Sequence, residues 1–272
     1  MASLQPALEA GRLLRGAQRI LVLTGAGISV ESGLPTYRGP TRVPSLSSVF
    51  RNAAAFGADR ERGLRMMDQL HRDIQHSAPN AAHFAVAELA RAPGRQVLVA
   101  TQNIDGLHEA ANTPLVSRLH GRLGEIWTPD AAAVAQDANA TATSEYLLRG
   151  FDALSWAVEV SNKAGGRVRR VRQSLSLECG PADRPNVLLF GEGYGARRAA
   201  CDHFLRSPVD AVFIVGCSGG VPIVRELALQ ARQHGAKVVL VNPFPEELFC
   251  ADVVVPLPAT LGCVGAVSAA LA

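Results

Sequence analysis

Unbroken apolar runs recur along the chain, each closed by a Gly, Thr, Asn or Pro signal: Ile20–Leu23, Val97–Ala100, Val187–Phe190, Val212–Val215 and Val238–Val241. They are mostly rich in β-branched residues and do not alternate with polar ones. That pattern predicts strands buried on both faces, as in a parallel sheet. Helical stripes lie between them. Leu4, Ala7, Leu8, Gly11 and Leu14 precede the first run, Ala81, Ala85 and Leu89 the second, and Val224, Leu227, Ala228 and Ala231 the last. The alternation predicts an α/β fold, a doubly wound Rossmann-like parallel sheet with helices on both faces. Such a sheet binds its ligand at the carboxyl ends of the strands.

Two stretches break the rhythm, residues 40–79 and 128–178, and both are too long for bare connections. We assign them to a smaller inserted module, and residues 1–39, 80–127 and 179–272 to the Rossmann-like domain. Within the second stretch, Leu147, Leu148, Phe151, Leu154, Trp156 and Val160 are spaced as one helical face, and the basic run Lys163–Arg172 reads as a solvated surface, with a site for an acidic partner as the alternative.

Composition narrows the function classes. With 48% hydrophobic and 19% charged residues the chain is a folded one. A net charge of +3 is too small to argue for a nucleic-acid partner. No apolar run reaches the roughly eighteen residues of a membrane span. The first twenty residues lack the basic start and continuous apolar stretch of a signal peptide. Cys179, Cys201, Cys217, Cys250 and Cys263 contain no C-x-x-C pair. A disulfide framework and a four-cysteine zinc site are therefore both disfavoured, and a reducing cytoplasm is the expected compartment.

The chemistry begins after the first strand, at Thr24-Gly25-Ala26-Gly27-Ile28-Ser29. Glycines at a strand-to-helix bend let the backbone approach a pyrophosphate. The ordinary dinucleotide fingerprint fails, because Val30 replaces its third Gly and residues 45–55 hold no acid-ended strand. A second polar element, Gln102-Asn103-Ile104-Asp105, follows the second strand, where the fold would place ligand contacts. Asn103 can donate and accept through one amide. Asp105 suits either a ligand contact or stabilisation of developing positive charge, with a helix cap as the alternative.

The stretch from Gly25 through Ser29, Gly33, Pro35, Tyr37 and Arg38 to Pro40 resembles the signature of the sirtuins, the NAD-dependent protein deacylases. So do Thr101–His108, Leu119-His120-Gly121, Arg184–Glu192, Gly216-Cys217-Ser218 and Val241-Asn242, over about residues 15–127 and 179–265. The resemblance implies that NAD is consumed as co-substrate, with nicotinamide against Ser29, Asn103, Ile104 and Asp105. It puts Tyr37 where the family has a mobile Phe, and Arg38 near the phosphates. Gly25, Ala26, Gly27, Gln102, Gly216, Cys217, Ser218 and Asn242 complete the cofactor site. His120 becomes the general base, with Asn103 and Asp105 as the other catalytic residues. An acyl-lysine peptide or protein is the implied partner, held by Val187, Phe190, Gly191 and Val221. The products are lysine, nicotinamide and an O-acyl-ADP-ribose.

The pattern also departs from the family. Its small zinc module carries two Cys pairs, yet Thr128 and Ala131 stand at the first pair and Cys179 alone matches the second. One thiolate cannot make a tetrahedral site, so we expect no zinc. Met67 and Leu70 occupy the places where some members carry a Tyr and an Arg for acidic acyl groups, so succinyl specificity is not expected. Gly219 replaces the usual Leu after the Gly-Thr-Ser motif. The leading expectation is a deacetylase-like enzyme. The alternatives are an NAD hydrolase or ADP-ribosyltransferase of the same fold, and a silent nucleotide-binding sensor.

Overall fold

A computed structural model of the chain describes residues 3–36, 53–129, 166–245 and 250–272. Helix α1 (Gln5–Arg15) leads into β1 (Arg19–Thr24) and a 3-10 turn (Ala26–Ser32). Helices α2 (Ala53–Ala58), α3 (Arg60–Gln75) and α4 (Ala81–Arg91) precede β2 (Gln96–Thr101). A short α5 (Leu107–Ala110) leads to β3 (Val116–Arg118) and β4 (Gly121–Pro129). Then come β5 (Gly166–Arg170), α6 (Leu175–Glu178), β6 (Arg184–Val187), α7 (Ala199–Phe204) and β7 (Ala211–Val215). Helix α8 (Pro222–Gln233), β8 (Lys237–Val241), β9 (Val253–Val255) and α9 (Ala259–Leu271) close the chain.

Six strands form one parallel sheet in the order β3-β2-β1-β7-β8-β9. Growth from β1 runs outward to β3 and then restarts on the other side at β7, so a crevice opens at the carboxyl ends of β1 and β7. Alternate residues of each central strand enter different cores. Ile20, Val22, Val99 and Phe213 pack with α1, α4 and α9, whereas Leu21, Leu23, Leu98 and Ile214 pack with α7 and α8. Burial on both faces explains the unbroken apolar runs.

One expected strand is corrected. Of Val187–Phe190, only Val187 lies in a strand, and that strand, β6, pairs antiparallel with β4 in a second sheet ordered β5-β4-β6. Val187 and Leu189 are buried in a third apolar cluster while Phe190 is 49% exposed. The run is therefore covered on one face, although its apolar composition reads like a central strand. This small sheet joins β4 and β6, from segments we placed in the larger domain, to β5 from the inserted stretch.

Helix α3 was not anticipated in the stretch 40–79, because its Arg-rich surface masks the buried stripe Leu64, Met67 and Leu70. Asp59 starts it, its carboxylate accepting from the Arg62 amide at 3.2 Å. Met67 and Leu70 thus point into the third cluster with Leu123, Ile126 and Leu175. In α1, Ala7, Gly11 and Leu14 are buried as expected, but Leu4 and Leu8 face solvent. The α1 stripe is displaced because α9 lies against Gly11, where a Cβ would stand 2.4 Å from that of Ala269. The face of Leu147–Val160 and the start of the basic run at Lys163 lie outside the described residues.

Candidate functional site

The crevice is built by backbone packing between two loops. Gly27 N–H donates to Gly216 O at 2.9 Å, and Gly25 N–H to Val215 O at 3.1 Å. A Cβ on Gly216, where φ is +67°, would stand 2.3 Å from the Ile28 nitrogen. Glycine at 25, 27 and 216 is therefore required by this loop-to-loop contact as well as by any close approach of a ligand. Cys217 is buried behind the loop, with burial pushing its thiol up. Asn242 donates its amide to Cys217 O at 2.7 Å, tying the end of β8 to the same loop. Ser218, which follows the buried Cys217, is half-buried.

At the end of β2 the chain lays out a polar cluster. Gln102 N–H donates to Thr24 O at 2.9 Å, continuing the pairing beyond the buried Thr24–Thr101 hydroxyl contact. Asn103 is buried, and its Nδ2 donates to Ser29 Oγ at 3.1 Å. Ser29 Oγ in turn donates to Asp105 Oδ2 at 2.8 Å. The other carboxylate oxygen of Asp105 accepts from Leu107 N–H at 2.9 Å, across Gly106 at the start of α5. Burial pushes its pKa up, against the opposing pull of the Leu107, Ser29 and Asn103 hydrogen bonds and the nearby Arg122. Ile104 is half-buried beside the third cluster, and its carbonyl accepts from Leu123 N–H at 3.0 Å.

His120 sits between β3 and β4, and its carbonyl accepts from Leu188 N–H at 2.9 Å. Its Nε2 lies 3.3 Å from the Tyr194 hydroxyl. Burial lowers its pKa to about 4, opposed by a hydrogen bond to the Gln102 backbone and reinforced by Arg197. The imidazole is neutral near pH 7, the form that can accept a proton. Gly121 beside it has φ +79°, and a Cβ there would overlap Asn186 O at 2.0 Å.

Sequence reasoning missed three supports of this site. Tyr194 covers the His120 ring, with centroids 5.8 Å apart. His83 Nε2 lies 3.4 Å from Ser29 Oγ, and its Nδ1 accepts from the Asn80 N–H at the start of α4. Arg197 is buried and donates to Asn186 at 2.8 Å. Only His83 left a readable signal, as the third residue of a helix capped by Asn80.

Of the peptide-binding candidates, Val187 turns its side chain into the third cluster, Phe190 is half exposed, Gly191 takes φ +86°, and Val221 packs at the start of α8. Tyr37 and Arg38 lie outside the described residues.

The donor set tests what the site can hold. Gln102 Nε2, on the residue that precedes Asn103 in the chain, is buried with no hydrogen-bond partner among the described residues. Such an atom fits a ligand rich in hydroxyl acceptors, as the ribose of a dinucleotide is. Zinc does not fit. Among the described residues no group of three His, Cys, Asp or Glu is placed to hold a metal ion. Cys179 is buried, with burial raising its thiol to about 11. The Thr128 hydroxyl, at the position of a missing cysteine, donates to Asp183. Asp183 also accepts from Gly180 N–H at 3.2 Å and Arg169 at 3.3 Å, so a carboxylate joins the segments at this place. No helix among the described residues is long and apolar enough to cross a membrane.

Comparison with known proteins gives a single answer. The sequence model of the Sir2 family matches residues 25–222. The chain is 33% identical over 246 residues to an NAD-dependent protein deacylase of Archaeoglobus fulgidus, covering 87% of this chain and 85% of that protein. It is 32% identical over 263 residues to the NAD-dependent protein deacylase of Ralstonia nicotianae, covering 92% of each. The crystal structure of a Sir2 homologue–NAD complex has a TM-score of 0.72 at 26% identity, over 97% of this chain and 94% of that one. These matches run across both crevice loops and the His120 segment, and the chain belongs to the Sir2 family.

Proposed function

We propose that the chain is an NAD-dependent protein-lysine deacylase, deacetylase-like in its substrate. The observation that carries this reading is the convergence of Ser29, Asn103 and Asp105 in one hydrogen-bonded cluster, with a neutral His120 bonded to the Gln102 backbone beside it. NAD, consumed as co-substrate, supplies the ribose that parts from nicotinamide and receives the acyl group. Asn103 and Asp105 orient the nicotinamide end, Asp105 countering positive charge that develops nearby. The buried Gln102 amide and the loops at 25–27 and 216–218 hold the remainder, with Asn242 fixing the second loop. His120 receives a proton on Nε2, because its other face is occupied by the Gln102 backbone.

The substrate reading is an acyl-lysine in an extended peptide, lying along Val187–Gly191 and Gly219–Val221. Backbone pairing of this kind uses main-chain groups, which leaves Val187 free to pack inward. The small module is read as zinc-free, held by Asp183 and its partners, and the enzyme as resident in a reducing, cytoplasmic setting.

Nicotinamide release, measured with and without an acetyl-lysine peptide, tests the reading in the wild type and in His120→Ala. A deacylase requires peptide and loses release with the substitution. Release without peptide would make the chain a hydrolase, and no release under any condition would make it a sensor.

A further inference from the structure

A second cavity, of about 290 Å³, lies between the end of α3, the turn at Asp105–Ala110 and the strands β4 and β5. It shares Asp105 with the crevice but none of Ser29, Asn103, Ile104 or His120. Its acceptors are already spent. Asp105 uses its two carboxylate oxygens on Ser29 and Leu107. Glu125 uses its own on Arg118 and Asn186, both at 2.8 Å.

The donors on the same walls are unspent. Arg122 and Arg170 make no hydrogen bond or ion pair among the described residues. His71 is only 8% exposed, and its imidazole likewise makes no hydrogen bond among them. Two of these side chains fill space left open by glycine. The Arg122 guanidinium lies where a Cβ on Gly106, at φ +79°, would be 2.8 Å away, and His71 Nε2 lies equally close to the Cβ position of Gly124. Two guanidinium groups with unspent donors, one of them facing Asp105 without a hydrogen bond, and a buried imidazole beside Asp68 whose ring makes none, surround one small cavity and make a site for an added anion.

We infer that this cavity binds a small oxyanion, a free or substituted phosphate or carboxylate, through Arg122, Arg170 and His71. The volume suits a compact anion and is below that of most nucleotide-sized pockets. Because Arg122 also faces Asp105, an anion here competes for the field that favours the ionised carboxylate, which links the cavity to the crevice.

Calorimetric titration of the full chain tests the site. ADP-ribose is titrated first, which checks the crevice independently. Inorganic phosphate and acetate are then titrated separately with ADP-ribose at saturation. At least one probe binds saturably, and Arg122→Gln and Arg170→Gln each weaken it by about tenfold or more, the worth of one charge-assisted contact. Tighter phosphate identifies a phosphoryl ligand, and tighter acetate a carboxylate. Arg170 is exposed, so its substitution leaves the fold intact and keeps the test valid if Arg122→Gln fails to fold. The inference is overturned if neither probe saturates, or if Arg170→Gln binds as the wild type does.

Discussion

The Tyr194 hydroxyl stands 3.3 Å from His120 Nε2, its ring inclined 29° to the imidazole. Burial first, and then Glu226, raises the phenol to about 12, so the group stays protonated and able to donate. The nitrogen proposed to accept a substrate proton is thus already hydrogen-bonded in the free protein. A substrate hydroxyl must displace this contact, at a net cost of about 0.5–1.5 kcal/mol.

Tyr194→Phe keeps the ring stack and removes that competition. We expect kcat/KM for nicotinamide release to rise about two- to twelvefold, with thermal stability nearly unchanged. A fall of tenfold or more would show that the hydroxyl assists the reaction.

The buried histidines set an acid limit on stability. Burial lowers His120 and His83 to about 4 and His108 to about 3. Each is neutral in the folded chain but binds a proton near pH 6.5 when unfolded. Their contribution is complete above pH 6.5 and declines as pH falls toward the folded values, by up to about 1.4 kcal/mol per pH unit per histidine. Urea denaturation followed from about pH 7 to about pH 5 should show this decline. The acid limb of kcat/KM should correspondingly lie well below the pH 6.5 of an ordinary imidazole.

Asp183 anchors the small sheet. Its carboxyl is held below the usual range, first by the Thr128 hydroxyl and then by Gly180 and Arg169, against desolvation. That contribution is present above the unfolded carboxylate pKa and is lost as pH falls through the lower, folded value. Asp183→Ala should cost about 1–3 kcal/mol in denaturant unfolding, since it leaves the Thr128 and Gly180 donors unpaired. Unchanged stability would mean that other contacts hold the segment.

Gly216→Ala tests the loop contact. The added methyl meets the Ile28 nitrogen, and φ +67° disfavours any side chain. We expect a loss of about 1–3 kcal/mol in stability together with weaker ADP-ribose binding, read by calorimetry. Wild-type affinity in a folded variant would separate the crevice from this packing.

Legibility followed local physics. Strands buried on both faces write themselves as continuous apolar runs, and β1, β2, β7 and β8 were readable for that reason. Val187–Phe190 reads alike but is buried on one face only, because composition does not report which neighbours a segment meets. Gly25–Ser29, Gln102–Asp105 and His120 stood out as polar or glycine-rich elements at the ends of apolar runs. Tyr194 and Arg197 gave no such signal, being single residues in a turn after β6.

By itself, then, the sequence determined the doubly wound sheet, through short-range pattern, and through the resemblance of its motifs it pointed to the family and to the polar groups proposed for its crevice. The tertiary structure alone decided that Ser29 bridges Asn103 and Asp105, that Tyr194 occupies the His120 nitrogen, and that Arg122 and His71 share a cavity. Those relationships join residues far apart in the chain, and their distances and burial exist only once packing has removed water and set the local electrostatics.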